Sequence, residues 1–377
     1  MHGTVEPEFE GVLDAFVANF DERDEVGAAC CVYVDGRPVV DLWGGFADAT
    51  VGQQWRDDTV VPVFSCTKGV TATCANLLIE RGLLDPDATV ASYWPEFAAN
   101  GKDAITVRQA LSHQAGLAVV DGDLSLEECL SWFPVVDAIA KQAPIWEPGT
   151  AHGYHMRSFG WIIGELVRRV SGRTVGAFFR DEIASPLGLD LWIGLPEELE
   201  PRVARLIPPK GDMRAFFDAL GDDVLLGRAT TGPSGHFAYD DMWNQRALHA
   251  CELPSSNGIG DARSLARLYA SLIGEVDGVR TLRAETVERA TEVQARGPDK
   301  VILTETAFGL GYMLPPSLNG RARKTAFGHA GAGGSVAFAD PARGFAFAYV
   351  MTDLRFDLTG DPRSETLVEA TYRAVAS

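Results

Sequence analysis

Ser65 and Lys68 stand three residues apart in Phe64-Ser65-Cys66-Thr67-Lys68, and on a helix that spacing stacks the hydroxyl and the amine on one face. Proton transfer between them becomes geometrically feasible. A serine hydroxyl attacks poorly until a base accepts its proton, and a lysine is a base only when burial or neighbouring positive charge lowers its pKa. A helix N-terminus serves both needs. Its positive dipole end disfavours the ammonium form, and its free amides can offer an N–H to an oxyanion at Ser65. This is the single Ser-x-x-Lys of the chain, and it leads into a periodic apolar run. Taken alone, the pair is equally consistent with an exposed serine beside an unrelated surface lysine.

Two further stretches add chemistry. Tyr154, in Gly153-Tyr154-His155-Met156 just ahead of a strongly periodic segment, can relay a proton between a lysine and a leaving group. His152 and His155 are near enough in sequence to shape its surroundings. Gly328-His329-Ala330-Gly331-Ala332-Gly333-Gly334 carries glycines that allow close backbone approach, and the Ala332 amide can supply a second oxyanion donor beside that of Ser65. Competing chemistries are thin. There is no Gly-x-Ser-x-Gly elbow, no His-Glu-x-x-His and no phosphate-binding loop, and the seven histidines lack metal-ligand spacing.

The elements that position these residues follow from periodicity. Val70, Cys74, Leu77 and Leu78 predict a helix with one buried face, ending near Gly82, with Ser65 at its start. Thr106 and Gln109 have capping-box spacing for a short helix that contains His113 and stops at Gly116. Phe159, Ile162, Ile163, Leu166, Val167 and Val170 predict a helix over 157–170, and Leu265, Leu268, Tyr269 and Leu272 another over 261–273. Hairpins are expected at Ala28–Trp43 and Ser335–Met351, and a final helix at 365–375, which suggests one sheet assembled from both termini. Residues 208–235 carry few periodic signals and read as a long excursion bordering the site.

A chain of 377 residues with 46% hydrophobic and 23% charged residues is that of an ordinary globular protein. A net charge of -19 opposes a phosphate backbone, so nucleic acid is not an expected partner. No apolar stretch is long enough to span a membrane, and the chain opens on the acids Glu6, Glu8 and Glu10 rather than on a secretion signal. Six cysteines without metal-type spacing read as reduced thiols, so the expected compartment is the cytoplasm. The vicinal Cys30 and Cys31 should point to opposite faces of a strand.

The order Ser65-x-x-Lys68, then Tyr154, then His329-Ala330-Gly331 resembles the serine β-lactamase and penicillin-binding-protein superfamily, in its class C-like branch. Within it the chain is most similar to the family VIII carboxylesterases. Supporting matches lie at 106–113, Trp146-Glu147-Pro148-Gly149, Tyr154-His155, Phe308-Gly309-Leu310-Gly311 and Gly328-His329-Ala330-Gly331. The resemblance implies an α+β fold of α/β sandwich type, an antiparallel sheet flanked by helices. Residues 1–82 and 250–377 would form the sheet domain, with a mainly helical region inserted over 83–249. It implies that Ser65 is the acyl-accepting nucleophile, that Lys68 and Tyr154 form the base system, and that the Ser65 and Ala332 amides form the oxyanion hole. His155, Met156, His329, Ala330 and Gly331 would face the substrate. No metal or organic cofactor is implied, and self-association is left open. Where relatives of this branch with β-lactamase activity carry Tyr-x-Asn and Lys-Thr-Gly, this chain has Tyr154-His155-Met156 and His329-Ala330-Gly331. The lost amide and lost lysine point to small, uncharged acyl esters, with β-lactamase, D-amino-acid peptidase and acyltransferase activities as the alternatives.

Overall fold

The computed structural model describes residues 1–211, 213–219, 224–356 and 360–376. Both termini feed one antiparallel sheet, which has ten strands among the described residues. Its order runs His2–Val5, Arg37–Asp48, Gly27–Val34, Phe345–Met351, Val336–Asp340, Phe327–Ala330, Met313–Leu314, Glu305–Phe308 and Ala295–Pro298, with Gln53–Gln54 on Arg37–Asp48. The first hairpin forms because Asp35 (φ 47°) and Gly36 (φ 75°) take the left-handed conformations of a tight two-residue turn. The join between the termini is the pairing of Gly27–Val34 with Phe345–Met351, in the register Cys31 opposite Ala348.

Strand alternation settles which helix covers which face. Phe345 packs its ring against Tyr372 of the C-terminal helix, Pro362–Ala374, whereas Ala346 lies beside Ala270 of the helix Ala262–Ile273. Neighbouring residues of a strand point to opposite faces, so the sheet lies between these two helices. Glu10–Glu22 packs beside the C-terminal helix. Between the strand groups, residues 61–260 are mainly helical, with a small sheet of Val61–Pro62, Ile259–Gly260 and Leu191–Trp192.

The helix that follows Ser65, Cys66–Glu80, departs from the expectation of one buried face: from Cys66 to Ile79 every residue is buried. It runs through the centre, against the helix Ser158–Ser171 on one side and the strand Phe327–Ala330 on the other. Its fit is tight. A Cβ added to Gly69 would lie 2.0 Å from the Tyr269 hydroxyl, and one added to Gly311 would lie 2.6 Å from the Cβ of Ala72. A helix with no free face needs small residues on every side.

The Thr106–Gln109 capping box is present, but its helix spans only Val107–Leu111 and does not contain His113. His113 adopts φ 62° just beyond the helix, and the Gln114 N–H closes onto the Gln109 carbonyl. That is the left-handed C-terminal cap usually given to glycine, so the helix stops before Gly116 is reached. Over residues 208–235 the described segments include the helices Met213–Ala219 and Leu225–Thr231; residues 212 and 220–223 of that stretch lie outside the described residues.

Candidate active site

Ser65 occupies the N-cap position of the central helix and is the partly exposed residue at its mouth. Phe64 before it has φ 44°, a left-handed conformation that costs on the order of 1–3 kcal/mol in a non-glycine residue and turns Ser65 out of the strand and into the helix start. Val63, Phe64 and Ser65 carbonyls each accept from the amide three residues on, so the carbonyls of the turn are paired. The Ser65 amide has no protein acceptor among the described residues. Neither has the amide of Ala332.

Lys68, one turn into the helix, is 0% exposed. Its Nζ lies 3.0 Å from Ser65 Oγ, 2.6 Å from the Met156 carbonyl oxygen and 3.0 Å from that of Ser255. Among the described residues no carboxylate pairs with it. Burial holds its pKa well below the usual lysine range, and the Arg157 charge lowers it further. A neutral amine has two N–H donors and one lone pair. With the two carbonyls taking the N–H groups, the lone pair is left for the Ser65 hydroxyl, which is the geometry of a general base.

Tyr154 lies over this pair, with Lys68 Nζ 4.7 Å from its ring centre and its hydroxyl in hydrogen-bonding reach of Ser65. Burial raises its pKa, so it is a neutral phenol and a donor. The Phe308 ring stacks on it at an interplanar angle of 5°, and its own amide donates to Asp299 Oδ1 at 3.0 Å. Asp299 also accepts from the Val301 and Ile302 amides and from the Thr306 hydroxyl. This buried carboxylate anchors the tyrosine segment, and no motif in the sequence marked it.

The strand Phe327–Ala330 closes the other side. Cys66 Sγ lies 3.3 Å from the His329 carbonyl oxygen, and a Cβ on Gly331 would be 2.4 Å from the Val63 carbonyl. Glycine at 331 is therefore what lets the strand end approach the start of the central helix. Ala330, Gly331 and Ala332 are all partly exposed along this edge.

Two expected substrate contacts are corrected. His155 is wholly buried: its Nδ1 donates to the Gly153 carbonyl and its Nε2 accepts from the Leu117 amide, so both ring nitrogens are used in holding loops together. His329 is also wholly buried, with Nδ1–H directed to the Ala330 carbonyl and its ring 5.9 Å from that of Tyr154. Burial drives His155 down to about 4 and His329 to about 3, so both are neutral. Each lies behind the site rather than on its surface. Met156 is partly buried and enters the site chiefly through its carbonyl.

His113 and Arg157 complete the surroundings, and neither was marked in the sequence as a site residue. The left-handed cap turns His113 inward, where its Nδ1 accepts from the His155 amide and its ring packs 4.3 Å from Phe308. The signal available was the capping box that fixes where its helix ends. Arg157 has a single signal, a charged residue at the start of an apolar helix. Among the described residues no cluster of histidines, cysteines and acids could hold a metal ion, and no helix is long and apolar enough to cross a membrane.

Comparison with known proteins bears on the family and the fold. The protein family described as "Beta-lactamase" matches residues 13–370. An esterase/beta-lactamase, LipL of Mycobacterium tuberculosis, is 38% identical over 92% of this chain and 82% of its own length. A crystal structure of a family VIII carboxylesterase superposes with a TM-score of 0.90 at 38% identity, covering 99% of both chains. A penicillin-binding protein homologue from Caulobacter crescentus gives 0.89 at 38% identity, again over 99% of each.

Proposed function

The chain belongs to the beta-lactamase family, and from that premise we propose that it is a serine carboxylesterase acting on small acyl esters. The observation that carries the reading is Lys68: a buried amine, without a carboxylate partner among the described residues, whose two carbonyl partners leave its lone pair for Ser65. Ser65 Oγ attacks the ester carbon as its proton passes to Lys68. The carbonyl oxygen becomes an oxyanion and takes the free amides of Ser65 and Ala332. When the tetrahedral centre collapses, the carbon–oxygen bond to the alcohol breaks. The leaving oxygen takes its proton from the Tyr154 hydroxyl, which Lys68 reprotonates. Water then attacks the acyl-enzyme, returns a proton to Ser65 along the same relay and releases the acid.

Preference for esters rests on what the site lacks. A β-lactam carries a carboxylate, and here the place of a strand lysine is taken by His329, which is buried and neutral. Met156 offers no side-chain amide to a β-lactam's acyl side chain. The reading sets the enzyme in the cytoplasm, in keeping with six unpaired cysteines.

Turnover of nitrophenyl esters of graded acyl length, measured beside a chromogenic cephalosporin, tests the assignment. Short esters should be hydrolysed, Ser65→Ala should be inert, and a phosphonate should label Ser65. Rapid cephalosporin turnover with inert esters would overturn the substrate class, and an unlabelled Ser65 would overturn the mechanism.

A further inference from the structure

Arg157 is a buried guanidinium with no carboxylate partner among the described residues. It is 4% exposed, its Nε and Nη2 both donate to the Thr230 carbonyl at 3.1 and 2.8 Å, and Nη1 lies 3.4 Å from Ser256 Oγ. Its remaining faces are aromatic, with the rings of Phe237, Trp243 and Tyr239 at 4.5, 5.3 and 6.0 Å. Such faces and a carbonyl hold a guanidinium in place but leave its unit charge uncancelled. The same backbone that carries it builds the lysine site. The Met156 carbonyl, one residue before, accepts from Lys68, and the Arg157 carbonyl accepts from the hydroxyl of Ser255, whose own carbonyl accepts from Lys68.

The other titratable groups around Lys68 carry no charge at neutral pH. On its own helix Cys66 is a thiol pushed up to about 12 by burial. From the tyrosine segment come Tyr154, a neutral phenol, and His155; from the capped loop comes His113; from the strand comes His329; all three histidines are held neutral by burial. Tyr239, beyond Arg157, is likewise a neutral phenol. The Asp299 carboxylate of the same site sits on the Tyr154 amide, and among the described residues the formal charge that bears on Lys68 itself is that of Arg157, which is positive.

We infer that Arg157 is a positioning residue that keeps Lys68 in its free-base form, acting through its caged, uncompensated charge rather than by touching the substrate. The inference rests on Lys68 serving as the base, as in the proposed esterase. A positive charge near an amine destabilises its protonated form, so the arginine extends the pH range over which Lys68 accepts the Ser65 proton. The aromatic cage has a purpose in this arrangement. A carboxylate in its place would hold the arginine equally well and cancel the field.

The test is the pH dependence of Ser65 labelling by a fluorophosphonate, compared with kcat/KM for a nitrophenyl ester. In Arg157→Met the acid limb should move up by about one pH unit, a loss of about tenfold on the acid side, with the alkaline plateau within about threefold of wild type. Arg157→Lys, which retains a charge, should bring the limb back towards the wild-type position. A plateau that falls at every pH with the limb unmoved overturns the inference and leaves Arg157 a packing residue. Should Arg157→Met fail to fold, Ser256→Asp supplies a carboxylate beside Nη1 without removing the arginine. Its limb should move in the same direction while Ser256→Asn leaves the limb in place, and a stationary limb in Ser256→Asp overturns the inference. Failure of the esterase reading looks different: wild-type Ser65 is then not labelled at any pH.

Discussion

Among the described residues two arginines are buried, Arg157 and Arg363, and their surroundings are opposite. Arg363, 0% exposed, joins the C-terminal helix to the segment ahead of the strand Gly27–Val34 through Glu25 at 3.3 Å and pairs with Asp361 at its own helix start at 2.7 Å, with the Gly333 and Asp353 carbonyls completing its shell. Tyr349 donates to the same Glu25. Arg157 has a carbonyl, a hydroxyl and three rings. At the first site charge is cancelled and the benefit is attachment; at the second, among the described residues, it is left standing, and the proposed mechanism asks the amine it faces to stay free of a proton. Burial of a cation is thus not one phenomenon, and the partner set tells the two uses apart.

The contrast is open to measurement. The largest effect belongs to Lys68→Met, which should lower Ser65 acylation by on the order of 10⁴-fold, seen as loss of phosphonate labelling and of ester turnover at an unchanged fold. Arg363→Met should do the converse. It strands Glu25 and Asp361 and should cost about 3–5 kcal/mol in urea unfolding, while the pH limb of acylation stays where it is in the wild type. A limb that moved with Arg363 would mean that the two buried charges act alike on Lys68.

Acid should act on the active-site side of the comparison. His155 and His329 titrate near 6.5 when unfolded and only at about 4 and about 3 in the folded protein. Below pH 6.5 the unfolded chain therefore binds more protons, and folding stability falls as pH falls. Each of these histidines withdraws about 1.4 kcal/mol per pH unit until its folded pKa is reached. Between pH 6.5 and 5 the two should remove roughly 3–4 kcal/mol, and unfolding midpoints at the two pH values measure it. The smallest effect is expected from Asp299→Asn, which weakens charge-assisted bonds to the tyrosine segment. It should cost about 1–2 kcal/mol of stability and lower kcat several-fold with KM little changed.

What the sequence makes legible here is periodic or local. The Asp35-Gly36 turn, the Thr106–Gln109 capping box, the apolar stripe that becomes Ser158–Ser171 and the two terminal hairpins each depend on residues close in the chain. Ser65 and Lys68 are legible for the same reason, being one helical turn apart. The roles of His155 and His329 were not. Which way a side chain faces depends on loops from distant positions, such as Leu117 meeting His155 across 38 residues. Asp299 and Arg157 were hidden by the same distance, since the partners that give them meaning are the Tyr154 amide and the Thr230 carbonyl. The helix Cys66–Glu80 misled in a different way. Four spaced apolar residues suggested a single stripe, but the small residues between them, Gly69, Ala72 and Ala75, allow burial all round.

That enclosed helix has a consequence for anyone reshaping the enzyme's appetite. A mutational library aimed at residues 66–79 would return mostly misassembled protein, because at Gly69 there is no room for even a methyl group. Substitution is better tolerated away from this helix, as where the Ser234 hydroxyl and the His236 ring tether two loops through the Gly122 and Leu124 carbonyls and the chain can be re-cut without disturbing its axle.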